Sequence, residues 1–314
     1  MSINDVKNLE FFFDNLKKDE EGHVVLNMFD NTILNDSFLA SALKCSAPGY
    51  EIAPEKVRYV KKQNPWDGIT YFTDKTLHLA SQIKSTVKVG WLIEPGDLLP
   101  GLSNAAKMTQ NHFDLILTYE QDLLDHNPNK FKFLPCDTSG IEKQSHKIHK
   151  KTKLVSMIYS DKQWLTGHKI RHMIANSLIS KIKYDKIDLL GRATNKPLDL
   201  KSEGTNDYMF QIAIENLKRK NYFADKIYDC FVTGTVPIYW GAPNIADFFD
   251  IRGILVFNNP QELANILKSL SKEKYESMLP YVKNNFELVK KYLTPDDLLF
   301  EETKKYLREI NESR

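Results

Sequence analysis

The stretch NDYMFQIAIENLKRKNYFADKIYDCFVTGTVPIYWGAPNIADFFD, which covers residues 206–250, decides how this chain folds. Its opening apolar run at 209–214 predicts a buried strand, and Glu215 and Asn216 follow where that strand ends. A second apolar run, Val236–Trp240, predicts a neighbouring strand after an intervening helix. Because ligands bind outside the carboxyl ends of parallel strands, this unit predicts a site at Glu215 and Asn216.

The helix of this unit is expected to begin near Asp225 and to stop at Gly234. Asp225 is expected to cap the first backbone amides, and Lys226 lies beside them. Amides and a lysine at the start of a helix together favour a bound anion. The sequence therefore predicts an anion site at this end of the helix.

In order and spacing, this stretch resembles the donor-binding signature of glycosyltransferase family 10, the alpha-1,3-fucosyltransferases. That family has a Glu-Asn pair, then Tyr-Val-Thr-Glu-Lys-Ile or Leu, then a Gly-x-Val/Ile-Pro-Ile/Val-Tyr-Trp-Gly run. The matching segments here are IEN at 214–216, YFADKI at 222–227 and GTVPIYWG at 234–241. The main departure is Asp225, where the family has Glu.

The resemblance implies a set of donor-binding residues. Lys226 corresponds to the family's Lys, and Arg171 to the arginine that contacts the donor diphosphate. Asp225 takes the place of the glutamate that hydrogen-bonds ribose or sugar hydroxyls, and its shorter side chain suggests a different donor sugar. The family's remaining positions align with Glu215, Asn216 and Tyr222. GDP-fucose is the donor that the resemblance implies, with no separate cofactor.

Composition limits the class of protein. The 314 residues suffice for two domains, and 42% hydrophobic with 27% charged residues is typical of globular proteins. The 43 basic and 41 acidic residues leave a net charge of +2, too balanced to indicate a nucleic-acid binder. The three cysteines have no paired spacing, which favours reduced core residues: Cys45, Cys136 and Cys230. With no signal peptide or apolar run of ~18 residues, we expect a cytoplasmic bacterial or viral enzyme without a membrane span.

Apolar runs alternate with helical patterns along the chain, which predicts an α/β fold with parallel sheets. The clearest further runs are at 24–29, 87–93, 113–118 and 153–160. Together with the resemblance, this predicts the GT-B type: two Rossmann-like domains that face each other across a cleft. We expect an acceptor-binding domain at 1–150, a nucleotide-sugar domain at 151–295 and a C-terminal helix, 296–314, that packs back on the first domain.

The segment between Cys136 and Lys153 is polar and basic, and it is the best candidate for an interdomain linker. A solvated connector is one interpretation of it. The other is an electropositive surface that meets a polyanionic substrate.

The chain has no Gly-rich dinucleotide fingerprint, phosphate-binding GxxxxGK[ST] loop, HExxH or zinc-spaced Cys/His cluster. An Asp-x-Asp triplet, the usual metal–diphosphate element of the other main sugar-transferase fold, is also absent from the sequence. These observations favour a site that holds no metal.

Transfer to an acceptor hydroxyl needs a general base, and attack opposite the leaving group inverts the anomeric carbon. Glu94 is the first candidate, because it follows a predicted strand and Trp91–Ile93 should desolvate its carboxyl and raise its pKa. Asp97 and Glu120 are the reserves. The sequence thus predicts an inverting, metal-independent glycosyltransferase that moves fucose to a glycan hydroxyl.

Two alternatives remain open from the sequence. The basic segment at 143–153 is compatible with a phage-type enzyme that glycosylates hydroxylated DNA bases. A non-catalytic carbohydrate- or nucleotide-binding module would keep the same fold and lack the base.

Overall fold

The computed structural model describes residues 8–30, 54–135, 137–179 and 187–312. The chain divides into two compact units. Among the described residues, the first unit contains 8–30, 54–135 and 294–312, and the second contains 137–179 and 187–293. Cys45 and Cys136 lie outside the described residues.

The first unit is built on a six-stranded parallel sheet. Its strands are β1 (Val24–Phe29), β2 (Val57–Lys61), β3 (Trp66–Thr73), β4 (Ser85–Trp91), β5 (Leu115–Thr118) and β6 (Phe131–Phe133). They lie in the order β2-β1-β3-β4-β5-β6, and every pairing is parallel. Its helices are α1 (Leu9–Asp14), α2 (Leu102–Thr109), α3 (Gln121–His126), the 3-10 segments Asp74–Ser81 and Gln110–His112, and the C-terminal helix Pro295–Glu312.

Both faces of this sheet are covered, and nearly every residue of the strands β1 and β5 is buried. Against one face pack α1 and the C-terminal helix, through Leu9, Phe13, Leu299 and Phe300. Against the other face pack α2, α3 and the 3-10 segment Asp74–Ser81. The unit is therefore a doubly wound α/β layer structure.

The C-terminal helix belongs to the first unit through specific polar contacts as well as apolar burial. Asp297 accepts hydrogen bonds from the backbone N–H groups of Glu55 and Lys56, at 2.8 and 2.9 Å. The Tyr71 hydroxyl donates to Thr303 Oγ1 at 3.0 Å inside the core. The C-terminal helix is thus part of the same unit as the N-terminal strands.

The second unit is built on a five-stranded parallel sheet. Its strands are β7 (Lys153–Ile158), β8 (Ile187–Leu190), β9 (Tyr208–Ile214), β10 (Val236–Trp240) and β11 (Leu255–Val256), in the spatial order β11-β10-β9-β7-β8. Its helices are α4 (Thr166–Met173), continued by the π-helix Ile174–Ile179, α5 (Asp225–Thr233), α6 (Pro260–Lys268) and α7 (Lys272–Val289). Short 3-10 turns are found at Lys143–Ser145, Lys201–Gly204, Ile245–Asp247, Ile251–Gly253 and Lys290–Tyr292.

The two parallel sheets with covering helices confirm the predicted α/β fold. The predicted strand at Val236–Trp240 has the bounds that the structure gives it, and 24–29 is likewise observed as β1. Gly234, with a φ of 72°, ends α5 where the sequence places its stop. No helix in the described part of the chain is long and apolar enough to cross a bilayer.

The segment at 137–153 packs within the second unit and is not a solvated connector throughout. Lys151 is buried, and its ammonium donates to the carbonyls of Thr205, Asn206 and Thr233 and to Thr235 Oγ1, at 2.8 to 3.0 Å. The remaining lysines of this segment are exposed: Lys143, Lys147, Lys150 and Lys153. Residues 137–150, which we expected in the first domain, thus contact the second unit.

Candidate active site

The predicted donor-binding residues lie at one place in the second sheet. From β7 the chain passes to β8 on one side and to β9 on the other, so the order of strands reverses between β7 and β9. Ligands of doubly wound sheets bind in the crevice at such a reversal, outside the carboxyl ends of the strands. Glu215 and Asn216 follow β9 directly, and the loop after β7 leads into α4, which carries Arg171.

Gly167 lets the start of α4 approach the end of β9. Its N–H donates to the carbonyl of Asn216 at 2.9 Å. A Cβ atom at this position would lie 1.8 Å from the carbonyl oxygen of Glu215, so only glycine fits without a backbone shift. This close approach fixes the position of α4 relative to the predicted site.

Arg171 is a buried cation with few partners. Only 6% of it is exposed, and its Nη2 donates to Asn216 Oδ1 at 2.6 Å. Its Nε is buried without a hydrogen-bond partner, and no carboxylate of the described residues lies within 4.0 Å of the guanidinium. Burial lowers the pKa of Arg171, but the group remains charged at any working pH. An under-partnered buried cation at this crevice is suited to bind an anion.

The start of α5 differs from what the sequence suggested. Ala224 is the N-cap, and Asp225 is the first helical residue, so Asp225 does not cap the helix. The amide of Ala224 donates to Glu215 Oε1 at 3.0 Å, and that of Asp225 to Asp137 Oδ2 at 3.3 Å. Two amides at this helix end therefore already contact carboxylates of the protein.

Asp225 binds two ammonium groups, one on each oxygen. Lys226 Nζ lies 2.7 Å from Oδ1, and Lys201 Nζ contacts Oδ2. Burial acts to raise the pKa of Asp225, but Lys201 and Lys226 outweigh it and hold that pKa well below its ordinary value. Asp225 is therefore ionised, and it holds both ammonium groups in place.

Lys226 also lies 3.6 Å from Glu215 Oε2, a carboxylate that is completely buried. Burial acts to lower the pKa of Lys226, whereas Asp225 and Glu215 raise it, and the net shift is upward. The charge of Lys226 is thus shared between two carboxylates, unlike that of Arg171.

Carboxyl groups outnumber cations in this cluster, and three of them have raised pKa values. Burial raises the pKa of Glu215, of Asp229 and of Asp137, the last to about 7, where the charge of Asp225 adds to the effect. Protonation of Asp137 near pH 7 therefore reduces the surplus negative charge.

Tyr222 lies in the loop between β9 and α5 and is buried. The turn before it is fixed by Asn221, whose φ is 66° and whose N–H donates to Asn244 Oδ1 at 2.8 Å. Asn244 Nδ2 donates back to Asn221 Oδ1 at 2.9 Å. This reciprocal pair connects the loop that carries Tyr222 to the turn after β10.

The candidate bases lie in the first unit, at the carboxyl edge of its sheet. Glu94 is exposed, so the expected desolvation by Trp91–Ile93 is not observed. Asp97 is also exposed, and Glu120 is partly buried, accepting from the Gly96 N–H at 3.2 Å and from the Ser103 hydroxyl at 2.5 Å. Glu120 thus holds the loop after β4 in place.

A carboxylate that the sequence did not single out, Asp74, supports the backbone at Glu94. Asp74 follows β3, has a φ of 30°, and accepts the N–H of Ile93 at 2.8 Å and, more weakly, that of Glu94 at 3.4 Å. Burial raises the pKa of Asp74 to about 7 against the effect of these hydrogen bonds, with a further contribution from Glu94 and Asp30. A raised carboxyl pKa is thus found at Asp74, which contacts the backbone of Glu94.

Sequence reasoning also missed Lys201, Asp137 and Asp229. Asp229 lies one helical turn after Asp225, so helix periodicity could have found it. Lys201 and Asp137 belong to no recognisable sequence motif, and only the tertiary structure places them next to α5. Among the described residues, no group of three or more His, Cys, Asp or Glu side chains is arranged to hold a metal ion.

The two helix-covered parallel sheets define the class, an α/β architecture of the GT-B type. A solved alpha-1,3-fucosyltransferase with GDP has this fold, with a TM-score of 0.52 at 17% identity over 81% of this chain and 82% of that one. Residues 148–296 match the family model described as glycosyltransferase family 10 (fucosyltransferase) C-term. The resemblance seen in the sequence is confirmed, and the match covers most of the second unit.

Two curated relatives support the match. The alpha-(1,3)-fucosyltransferase FucT of Helicobacter pylori is 32% identical over 75 residues, 24% of this chain and 15% of that protein. GDP-fucose protein O-fucosyltransferase 3 of Gallus gallus is 35% identical over 80 residues, 24% and 17% of the two chains. The chain thus aligns with less than a fifth of the length of either relative.

Proposed function

We propose that this chain is an inverting, metal-independent glycosyltransferase that moves fucose from GDP-fucose to a hydroxyl group of a glycan. The observation that carries the proposal is the crevice between β7 and β9. There Arg171, a buried cation of the family-matched segment, binds Asn216, and its Nε has no hydrogen-bond partner among the described residues.

In this reaction the bond between the anomeric carbon and the diphosphate breaks, and the diphosphate leaves with the bonding electrons. Arg171 and Lys226 would stabilise the negative charge that develops on it. Both groups are held in position before the donor binds, Arg171 by Asn216 and Lys226 by Asp225. Preorganised cations stabilise such charge without rearrangement during the reaction.

The acceptor hydroxyl would lose its proton to a carboxylate of the first unit while its oxygen bonds to the anomeric carbon. Glu94 remains our choice for this base, because it is accessible and its backbone is held by Asp74. Asp97 and Glu120 are less suited, since Glu120 already binds Gly96 and Ser103. Attack from the face opposite the diphosphate gives the inverted configuration.

The donor part of the proposal rests on two relatives, one named for GDP-fucose and one a fucosyltransferase solved with GDP. The acceptor part rests on the alpha-(1,3)-fucosyltransferase of Helicobacter pylori. The donor sugar is the least certain part of the donor assignment in sequence terms, because Asp225 is one methylene shorter than the glutamate that glycosyltransferase family 10 has at this position.

The test is an assay of nucleotide release with GDP-fucose, GDP-mannose and UDP-glucose against a panel of oligosaccharides, with NMR of the product. We expect GDP release and product only with GDP-fucose, an inverted anomeric centre, and full activity in excess EDTA. Loss of activity in EDTA that Mn²⁺ restores would contradict metal independence. Binding of donor without any release of nucleotide would indicate the non-catalytic module, and transfer only to hydroxylated DNA would indicate the phage-type enzyme.

A further inference from the structure

Lys201 is a cation at the start of α5 that the family signature does not include. It begins the short 3-10 turn Lys201–Gly204 between β8 and β9. Its ammonium contacts Asp225 Oδ2 and lies 3.0 Å from Asp229 Oδ2. The side chain remains 31% exposed, so a ligand in the crevice can reach it.

The geometry around Asp225 places Lys201 and Lys226 as a pair. Each ammonium binds a different oxygen of one carboxylate. The three groups together carry a net charge of +1, and the charge of Asp225 acts against the effect of burial, which lowers the pKa of Arg171. A carboxylate with two ammonium ligands has fewer lone pairs left for the donor hydroxyls that the resemblance assigned to it.

A purely structural role for Lys201 would be to neutralise Asp229. However, Asp229 Oδ1 already accepts the Ser139 hydroxyl at 2.8 Å and the Gly140 N–H at 2.5 Å. Burial also raises the pKa of Asp229, the largest of the effects on that group. Asp229 therefore has two hydrogen-bond partners besides Lys201, which exerts the largest of the effects that lower its pKa.

The backbone makes room for the Lys201 ammonium. A Cβ atom at Gly140 would lie 2.5 Å from Lys201 Nζ and 2.8 Å from its Cδ. The glycine thus allows the lysine end to lie between the segment 137–140 and α5. Any larger residue at 140 would push this flexible end away from Asp225 without changing the charge of the protein.

We propose that Lys201 is a ligand of the donor diphosphate, a second ammonium that Asp225 holds beside Lys226. The proposal rests on the proposed function, because it assumes that a nucleoside diphosphate binds in this crevice. In it, Asp225 acts through the two lysines as a positioning residue. Two ammonium groups at a fixed separation recognise a diphosphate better than a single phosphate.

The test compares the affinities of GDP, GMP and guanosine by calorimetry for the wild-type chain and for Lys201→Gln. We expect Lys201→Gln to weaken GDP binding roughly 10- to 100-fold, as for loss of one charge-assisted hydrogen bond, with a smaller loss for GMP and none for guanosine. Lys196→Gln is the matched control, because Lys196 lies in the same β8–β9 connection but is exposed and pairs with Asp188 at 3.6 Å. It should bind GDP as the wild type does.

Gly140→Ala is the second variant, and it keeps the lysine while displacing its ammonium. We expect it to reduce GDP affinity in the same direction as Lys201→Gln at an unchanged melting temperature. GDP binding within twofold of wild type in both variants would overturn the assignment and leave the proposed function intact. An equal loss for GDP and guanosine would also overturn it, since that pattern indicates general disruption. If the wild type binds no nucleoside diphosphate, the proposed function is wrong, and so is the assignment of Lys201 that rests on it.

Discussion

The variant Arg171→Met tests whether the charge of Arg171 serves ligand binding or the stability of the fold. Arg171 is 6% exposed, and within the described residues it has one hydrogen bond, to Asn216, and a buried Nε without a partner. A buried charge of this kind costs folding free energy unless it is well paired. Methionine keeps most of the side-chain volume and removes the charge.

The expected magnitude follows from these contacts. If Arg171 donates one or two charge-assisted hydrogen bonds to the diphosphate, its removal should weaken GDP binding by about 2–4 kcal/mol, roughly 30- to 1,000-fold. The free energy of unfolding should stay constant or rise, because the lost bond to Asn216 is offset by relief of the buried charge. The melting temperature should therefore be unchanged or a few degrees higher.

The assay is GDP calorimetry with thermal unfolding of the same samples, and Arg192→Met, at an exposed arginine of the second unit, is the control. Lys226→Met offers a second comparison. Because Lys226 partly neutralises the fully buried Glu215, its loss should lower the melting temperature as well as GDP affinity. If Arg171→Met lowers the melting temperature by several degrees and leaves GDP affinity unchanged, Arg171 serves the fold and our reasoning is wrong.

Two further predictions concern carboxyl groups. Glu94→Gln should reduce turnover roughly 10²- to 10⁴-fold at unchanged GDP affinity, whereas a comparable loss confined to Asp74→Asn, with a shifted acid limb of the pH–rate profile, would place the base at Asp74. The second concerns Asp137, whose folded-state pKa is raised to about 7. A raised carboxyl pKa means that the folded state binds the proton more tightly, so this group's contribution to stability is lost as pH rises from about 4 to 7. A bound diphosphate should raise that pKa further, so GDP affinity should fall as pH rises through 7, and Asp137→Asn should flatten this dependence. An equally steep dependence in Asp137→Asn would assign the effect to another group.

Much of the fold could be predicted from the sequence because the strands are buried on both faces. A strand covered on both sides is mostly apolar, so Val24–Phe29 and Val236–Trp240 could be identified with the bounds the structure gives them. The polar residues after such runs lie at the edge of the sheet, which is why Glu215 and Asn216 were identified as candidates. Local patterns of this kind depend only on neighbouring residues.

The parts that only the tertiary structure decided depend on residues far apart in the chain. Asp137 contacts the start of α5 across a sequence separation of 88 residues, and Lys201 contacts Asp225 across a separation of 24 residues. The N-cap moved from Asp225 to Ala224 because the side chain of Asp225 binds two lysines instead of the helix amides. Similarly, burial of a carboxyl depends on which loops cover it, and burial raises the pKa of Asp74, a residue that the sequence did not single out. Charge pairing and desolvation act through space, so a pattern along the chain determines where the strands and their ends lie, but not which charged groups meet there.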